Sequence, residues 1–404
     1  MTEQETDVLI IGGGLIGASL LLALRGAGYR TLMIEAQPYS DTLRPDFDAR
    51  TLALSPASAT ILDMLGLWPL LAEDTTAIDT IHVSEQFRFG TAQLNAKPHE
   101  PLGYVVELQV IHRALHRLLQ PNQLLAPAQL IRLDAEQGLA TVLYGQEERV
   151  IKTRLLVAAD GGQSTVRRLA GLSVRTKNYN QHALVANIGL GRDHNQCAYE
   201  RFTATGPLAM LPMTHRRAAM IWCMPPDEAQ RLQALDERSF LRHLQRTFGY
   251  KLGRLVKAGH RTTFPLRQVT MPQKADWPLV FVGNAAQTLH PVAGQGFNLG
   301  LRDVATLAQC LIQNGMQPAA LSAYVAMRHH DQTAVTRLTD GLIRVFGSRL
   351  PGLGTGRSFG LMVMNQSPFL KSLLSHYARG YAGIVPDLVC GIGLDKERAD
   401  ATDL

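Results

Sequence analysis

Three glycines, Gly12, Gly14 and Gly17, occupy the fixed places of a GxGxxG pattern, and Glu35 follows 21 positions after Gly14. Each type has a chemical reason at its place. The first glycine permits a tight turn, the second lets backbone approach a pyrophosphate, and the third lets a helix pack close to a strand. N–H groups at the helix start attract the phosphate charge, and a carboxylate ending the next strand takes ribose hydroxyls. A carboxylate there favours an unphosphorylated ribose, so the spacing predicts NAD or FAD rather than NADP. A purely structural glycine turn is the plainer alternative, and the flanking elements argue against it.

Those elements can be read on either side. "DVLIIG" (7–12) is a continuous β-branched and aliphatic run, the pattern of a strand buried on both faces. Leu15 to Leu24 continue as a helix that Gly28 can stop, and "RTLMIE" is a second strand ending on Glu35. No second GxGxxG occurs, so one Rossmann-like unit holds one dinucleotide.

Two more strands run into glycine. One ends at Ala159 before Asp160-Gly161 and a helix bearing Arg167 and Arg168. The other ends at Val282 before Gly283-Asn284, with a helix predicted from about Phe297. Between them lie three glycines in 14 residues (283–296) and a His290-Pro291 pair. A plain connection needs roughly two to six residues, so this loop is shaped to wrap around something.

Composition bounds the rest. The 404 residues carry a net charge of +6, and four cysteines lie far apart without CxxC spacing, which argues against a zinc site or disulfide framework and fits a reducing cytosol. Residues 8–24 carry no charge, yet they include four glycines and follow an acidic leader, against a signal or spanning segment. From 341 to 379 there are five basic residues (Arg344, Arg349, Arg357, Lys371, Arg379) and no acidic one, among Leu, Met and Phe. Such a stretch either lies on an anionic membrane or is a helical tail with a solvated face.

Residues 179–265 change character. "HALVANI", "QCAYERFTATGPLAMLPM" and "AAMIWCM" read as strands broken at Gly206-Pro207 and Pro212, an inserted antiparallel sheet. Phe202, Met210, Pro212, Met213 and Trp222 are its apolar candidates for a substrate wall, although such a face is commonly plain core.

Together the GxGxxG, the Asp160-Gly161 motif and "HPVAGQGFNLGLRD" resemble the single-component FAD-dependent aromatic hydroxylases. "DARTLALSPASATILDMLGLW" (48–68) and "ERFTATGPLAMLPM" resemble its ubiquinone-biosynthesis branch, and the resemblance covers nearly the whole chain. It implies an α/β fold: a Rossmann-like FAD-binding domain from 1–75, 101–178 and 270–330, an inserted antiparallel-sheet substrate domain from 76–100 and 179–269, and a helical C-terminal region from 331–404. The family has Asp where this chain has Asn284; an amide oxygen still accepts a hydrogen bond from the flavin's ribityl chain, so FAD binding is expected to persist.

By that resemblance Gly12, Gly14, Gly17, Glu35, Arg50, Glu107, Asp160, Gly161, Gly283, Asn284, Ala293, Gly294, Gly296 and Asn298 are the cofactor-binding candidates. Glu107 would reach the flavin from a helix "GYVVELQVIHRAL". Ala293 to Gly296 leave side chains out where a flat ring must sit, and the following helix aims its positive end at the anionic reduced flavin. His290, Pro291 and Gln295 are the candidate catalytic residues, although a histidine in a buried turn is often structural. NADPH or NADH would reduce FAD and O2 would supply an oxygen atom to the ring of a hydrophobic polyprenyl phenol of the 2-polyprenyl-6-methoxyphenol type. The phenol's own partner stays open among His182, Tyr199 and Glu200. So greasy a substrate predicts a cytoplasmic protein touching the inner membrane or lipid-carrying ubiquinone-biosynthesis partners, with no nucleic acid; a homo-oligomer is left open.

Rival readings differ by feature. A halogenase usually carries WxWxIP, absent here. A flavin-poor scaffold subunit has only Asn284 in its favour, and a sister hydroxylase acting at another position of the same ring stays open.

Overall fold

The structure is a computed structural model that describes residues 2–38, 47–289, 294–347, 353–367, 371, 379–381 and 385–394. His290, Pro291, Ala293 and Arg349 lie outside the described residues, as do the side chains of Arg344 and Arg357.

The parallel core of a mixed eight-stranded sheet forms the dinucleotide-binding half. Strand Thr2–Ile11 is central, pairing with Glu147–Ala158 (Ile11 opposite Ala158) and with Thr31–Ile34 (Val8 opposite Thr31). Leu279–Phe281 adds beyond the first and Leu124–Leu125 beyond the second. Period-two alternation divides the first strand between two cores. Val8 and Ile10 pack with helices Leu15–Ala23 and Gln295–Asn314, whereas Leu9 and Ile11 pack with the opposite layer. That is why the sequence there is apolar at every position.

The second sheet is mostly antiparallel, in the spatial order Gln287–Thr288, Thr262–Thr270, Arg175–Leu190, Arg217–Met224, Pro207–Met213, Cys197–Phe202, Thr80–Glu85 and Thr91–Asn95. Helices Pro226–Ala234 and Glu237–Phe248 cover one of its faces through Phe240, Leu244 and Phe248. A small sheet of Thr51–Leu54, Gly103–Glu107 and Thr75–Ile78 sits against the other, with Ile78 and Val105 packed on Ala198, Met213 and Ala219.

Three expectations change. Residues 103–107 of "GYVVELQVIHRAL" are a strand, because Val105 and Val106 are buried between two antiparallel partners; the helix starts at Leu108. Pro212 lies inside its strand. It pairs with Ala218 on one side, and the ladder on the other side starts only at Met210, so no partner needs its missing N–H. The helix Pro318–Gly347 runs unbroken through the division drawn at 330/331. No described helix is long and apolar enough to cross a membrane.

Candidate functional site

The glycine turn is shaped by backbone contacts. Gly12 has φ 106°, and a Cβ there would stand 2.6 Å from the Ala159 carbonyl oxygen. One on Gly17 would stand 1.9 Å from the Gly12 oxygen. Gly14 differs, since a Cβ there meets nothing within 4 Å. Two glycines therefore close the turn, and the third borders open space. Gly14 caps helix Leu15–Ala23 without a side-chain hydrogen bond, which leaves the helix's first N–H groups for an anion. Glu35 lies at the rim, accepting from the Gly13 N–H at 2.7 Å and the Gln37 N–H at 2.8 Å.

Asp160 stands at the neighbouring strand end. Its Oδ2 accepts from the N–H groups of Thr165 (2.7 Å) and Val166 (3.1 Å), capping helix Thr165–Leu169 together with Ser164. Its Oδ1 is buried and has no hydrogen-bond partner among the described residues. Gly161, at φ 83°, again borders open space. Arg167 ties this turn to the third one by donating to the carbonyls of Gly162 (2.7 Å) and Ala285 (2.9 Å).

The third turn brings Gly283 (φ 59°) against Ile16, with Asn284 following as an exposed side chain. Asp303 Oδ2 accepts from the Gly283 N–H at 3.2 Å. Gly294, in the left-handed region at φ 61°, caps helix Gln295–Asn314 without a side-chain bond, and a Cβ on Gly296 would meet nothing. A second helix N-terminus thus faces the site. The Asn298 side chain holds backbone: its Oδ1 accepts from Ser55 N–H (2.8 Å), and its Nδ2 donates to Ala53 (3.0 Å) and Gly294 (2.9 Å). A buried amide flanked by loose backbone ends satisfies them first.

Behind this turn lies a buried ionic network that sequence reasoning missed. Arg328 donates to Asp303 at 2.7 Å and to Asp331 at 2.5 Å, and Arg302 donates to Asp331 at 2.8 Å. The Arg328 and Arg302 guanidiniums hold the Asp331 carboxyl below the usual carboxylate range despite its burial. Only the aspartate ending "NLGLRD" hinted at it; Arg328 and Asp331 sit in an ordinary-looking helix.

Arg50 is exposed, and its carbonyl accepts from Leu108 N–H at 2.7 Å. His112, unnoticed in the sequence, lies within the field of both Glu35 and Arg50; burial lowers its pKa and keeps the imidazole neutral. Glu107 is turned to Arg217 (2.5 Å) and Gln109 (2.8 Å), so it joins the small sheet to the antiparallel one. A cleft of about 660 Å³ opens beside that pair, lined by Phe47, Leu190, Arg216 and Lys257.

The substrate-wall expectation needs correcting. Adjacent residues of a strand cannot share a face. Met210 and Trp222 belong to the core beneath the two covering helices, and Pro212 takes the same side by register. Phe202 is on the opposite, inner face with Glu200 and Ala209. Cys223 and Ile221 share it, clustered with Tyr179 and Leu266.

These residues fit an FAD. Three turns from distant parts of the chain converge, their Cβ directions at Gly14, Gly161 and Gly296 are open, and a buried carboxylate oxygen lacks a partner. The comparisons agree. The FAD binding domain family matches residues 5–339. The ubiquinone hydroxylase UbiL of Rhodospirillum rubrum is 35% identical over 95% of this chain and 92% of its own length. The 3-demethoxyubiquinol 3-hydroxylase of Escherichia coli is 31% identical over 94% of this chain and 100% of its own. The crystal structure of p-nitrophenol 4-monooxygenase from Pseudomonas putida shares the fold, with a TM-score of 0.76 at 17% identity over 94% of this chain and 99% of that one.

Proposed function

Since the chain belongs to the FAD-dependent hydroxylase family, in its ubiquinone-biosynthesis branch, we propose that it hydroxylates the aromatic ring of a polyprenylated phenol of the 2-polyprenyl-6-methoxyphenol type, using NAD(P)H and O2. The observation that carries the cofactor half is the convergence of the Gly14, Asp160 and Gly294 turns on one open space. The relatives' names support the substrate class.

Bound FAD supplies the electron store and the oxygen-transferring centre. The chain's part is to bind and orient. Helix Leu15–Ala23 offers N–H groups to a pyrophosphate, and Glu35 offers carboxylate oxygens to a ribose. The positive end of helix Gln295–Asn314 would stabilise negative charge on a flavin held there. The inner face of the antiparallel sheet, with Phe202, Ala209 and Ile221, excludes water from the reacting centre.

A substrate of this class resides in lipid, and the surface carries a matching feature. Phe87, Phe89, Phe359, Met362 and Val363 are all exposed, and Gly90 abuts the backbone at Ser358, so the first two flank the helix holding the others. With the basic excess of 341–379, this patch supports contact with an anionic bilayer.

The test is the absorption spectrum of the purified protein, then its product with a short-chain polyprenyl-methoxyphenol, NADPH and O2. Flavin bands and a product one oxygen atom heavier are expected. The name of the Escherichia coli relative favours a second reading, a neighbouring ring position, and fragmentation of the product locates the oxygen. A protein that stays colourless with added FAD overturns the reading.

A further inference from the structure

We propose that Glu200 accepts the proton of the substrate's phenol from the inner face of the antiparallel sheet, a role that rests on the function proposed above.

Register decides among the polar candidates. Tyr199 pairs with Met210 and meets Phe248 edge-on at 5.4 Å, on the helix-covered face. His182 pairs with Met224, which lies in the same helix-side core. Glu200, one residue on from Tyr199, must point the other way. There its cross-strand neighbours are Val83 and Ala209, and the next strand brings Ile221 opposite Ala209.

That inner face looks toward the flavin site. Its Ala198, Met213 and Ala219 pack on Ile78 and Val105 of the small sheet, whose Ala53 lies under Gly294. Moreover, the edge strand Gln287–Thr288 belongs to the turn after Gly283 and is hydrogen-bonded into the antiparallel sheet at Val269 and Thr270. Flavin seat and sheet face are thus built into one frame.

The Glu200 carboxyl makes no hydrogen bond or ion pair among the described residues, although it is half-buried in an apolar setting. Such a carboxyl is costly to keep idle. Burial pushes its pKa up to about 7. The titratable groups on this face from adjoining strands are Cys223, Glu85, Tyr179 and Arg217, the last four positions along its strand from Ile221 and ion-paired to Glu107. The Cys223 thiol is raised by burial and stays neutral, and Tyr179 donates to Asp340 at 2.5 Å, which also pairs with Lys177. None of these supplies a cation beside Glu200.

The step balances. The phenol O–H breaks, its proton moves to a Glu200 oxygen, and the electron pair left on the phenolate oxygen lets the ring carbon form a C–O bond to one oxygen of O2 that NAD(P)H has reduced by two electrons; the O–O bond breaks and the other oxygen leaves as water. When the resulting dienone becomes aromatic again, the ring carbon's proton leaves to water and Glu200 returns its own to the substrate oxygen.

The test compares wild type, Glu200→Gln and Glu200→Asp, each loaded with FAD, for kcat against pH and for an infrared carboxyl band. Wild-type kcat should rise with pH through about 7, where a carboxyl band titrates. Glu200→Gln should keep FAD and its melting temperature, lose that band, lose the pH rise and fall by about 100-fold or more in kcat, with KM for NADPH unchanged. Glu200→Asp should restore part of the rate and the pH rise. An active wild type whose Glu200→Gln form matches it in rate and profile overturns the role of Glu200 alone. A wild type that binds FAD and hydroxylates no phenol overturns the parent reading, and this role with it.

Discussion

Arg328 donates from Nε to Asp303 Oδ1 at 2.7 Å in the protein interior, where the two side chains are 2% and 0% exposed. Asp303 also receives the Gly283 N–H, so this pair fixes the turn on which the flavin would rest. Truncating Arg328→Ala leaves Asp303 and Asp331 buried without their shared cation. Breaking such a pair costs about 3–5 kcal/mol. A clear fall in melting temperature, together with a lower FAD content, is expected; a melting curve like the wild type's would show the network to be dispensable.

The glycine loop separates folding from cofactor binding. Gly17→Ala places a methyl 1.9 Å from the Gly12 oxygen and should destabilise the protein even without flavin. Gly14→Ala meets nothing within 4 Å, so the apoprotein should melt as wild type. Its methyl would nevertheless stand where a pyrophosphate approaches, and FAD affinity should fall about tenfold or more. Flavin fluorescence titration beside apoprotein melting reads both, and a Gly14→Ala protein with unchanged affinity would move the nucleotide elsewhere.

Lys274 gives a pH signature. Burial lowers its pKa to about 8, against the pull of Asp303, while its Nζ donates to Gln287 at 2.8 Å. Between about 8 and the unfolded value of 10.5 the unfolded chain binds more protons than the folded one, so this group makes stability rise with pH across that window. Below 8 both states hold the proton, and its contribution is flat. Chemical denaturation of wild type and Lys274→Met from pH 7 to 10 should show the rise only in wild type; equal slopes would contradict it.

The exposed apolar patch predicts lipid contact. Replacing Phe87 and Phe89 by serine removes two rings from the exposed patch, each worth about 1.5–3 kcal/mol if fully buried in a bilayer. Sedimentation with anionic vesicles should weaken about tenfold or more, while melting stays near wild type because both rings are exposed. Binding unaffected by the change would shift the contact away from this loop.

Much of this protein was legible beforehand because it depends on local backbone chemistry. The glycine spacing, the strand-to-glycine junctions at Asp160 and Gly283, and the strands 182–188 and 218–224 all follow from conformational freedom or periodicity within a short window. Side-chain destinations were less legible. Glu107 and Asn298 read as cofactor residues by resemblance, yet each found a nearer partner, Arg217 and the backbone at Ala53 and Ser55. Nothing in the sequence pairs positions 110 or 243 residues apart.

The sequence by itself determined the dinucleotide turn, the parallel core strands, the inserted sheet and the family, because each is written in residues close together along the chain. Tertiary structure alone decided which face of that sheet lies under the helices and which meets the small sheet. Met210, Pro212 and Trp222 alternate away from Phe202 and Glu200, but alternation says only that two faces exist. Which of them is covered depends on where helices Pro226–Ala234 and Glu237–Phe248 fold back and where the small sheet docks. Those are long-range packing choices, made by apolar area buried between segments that are distant in sequence.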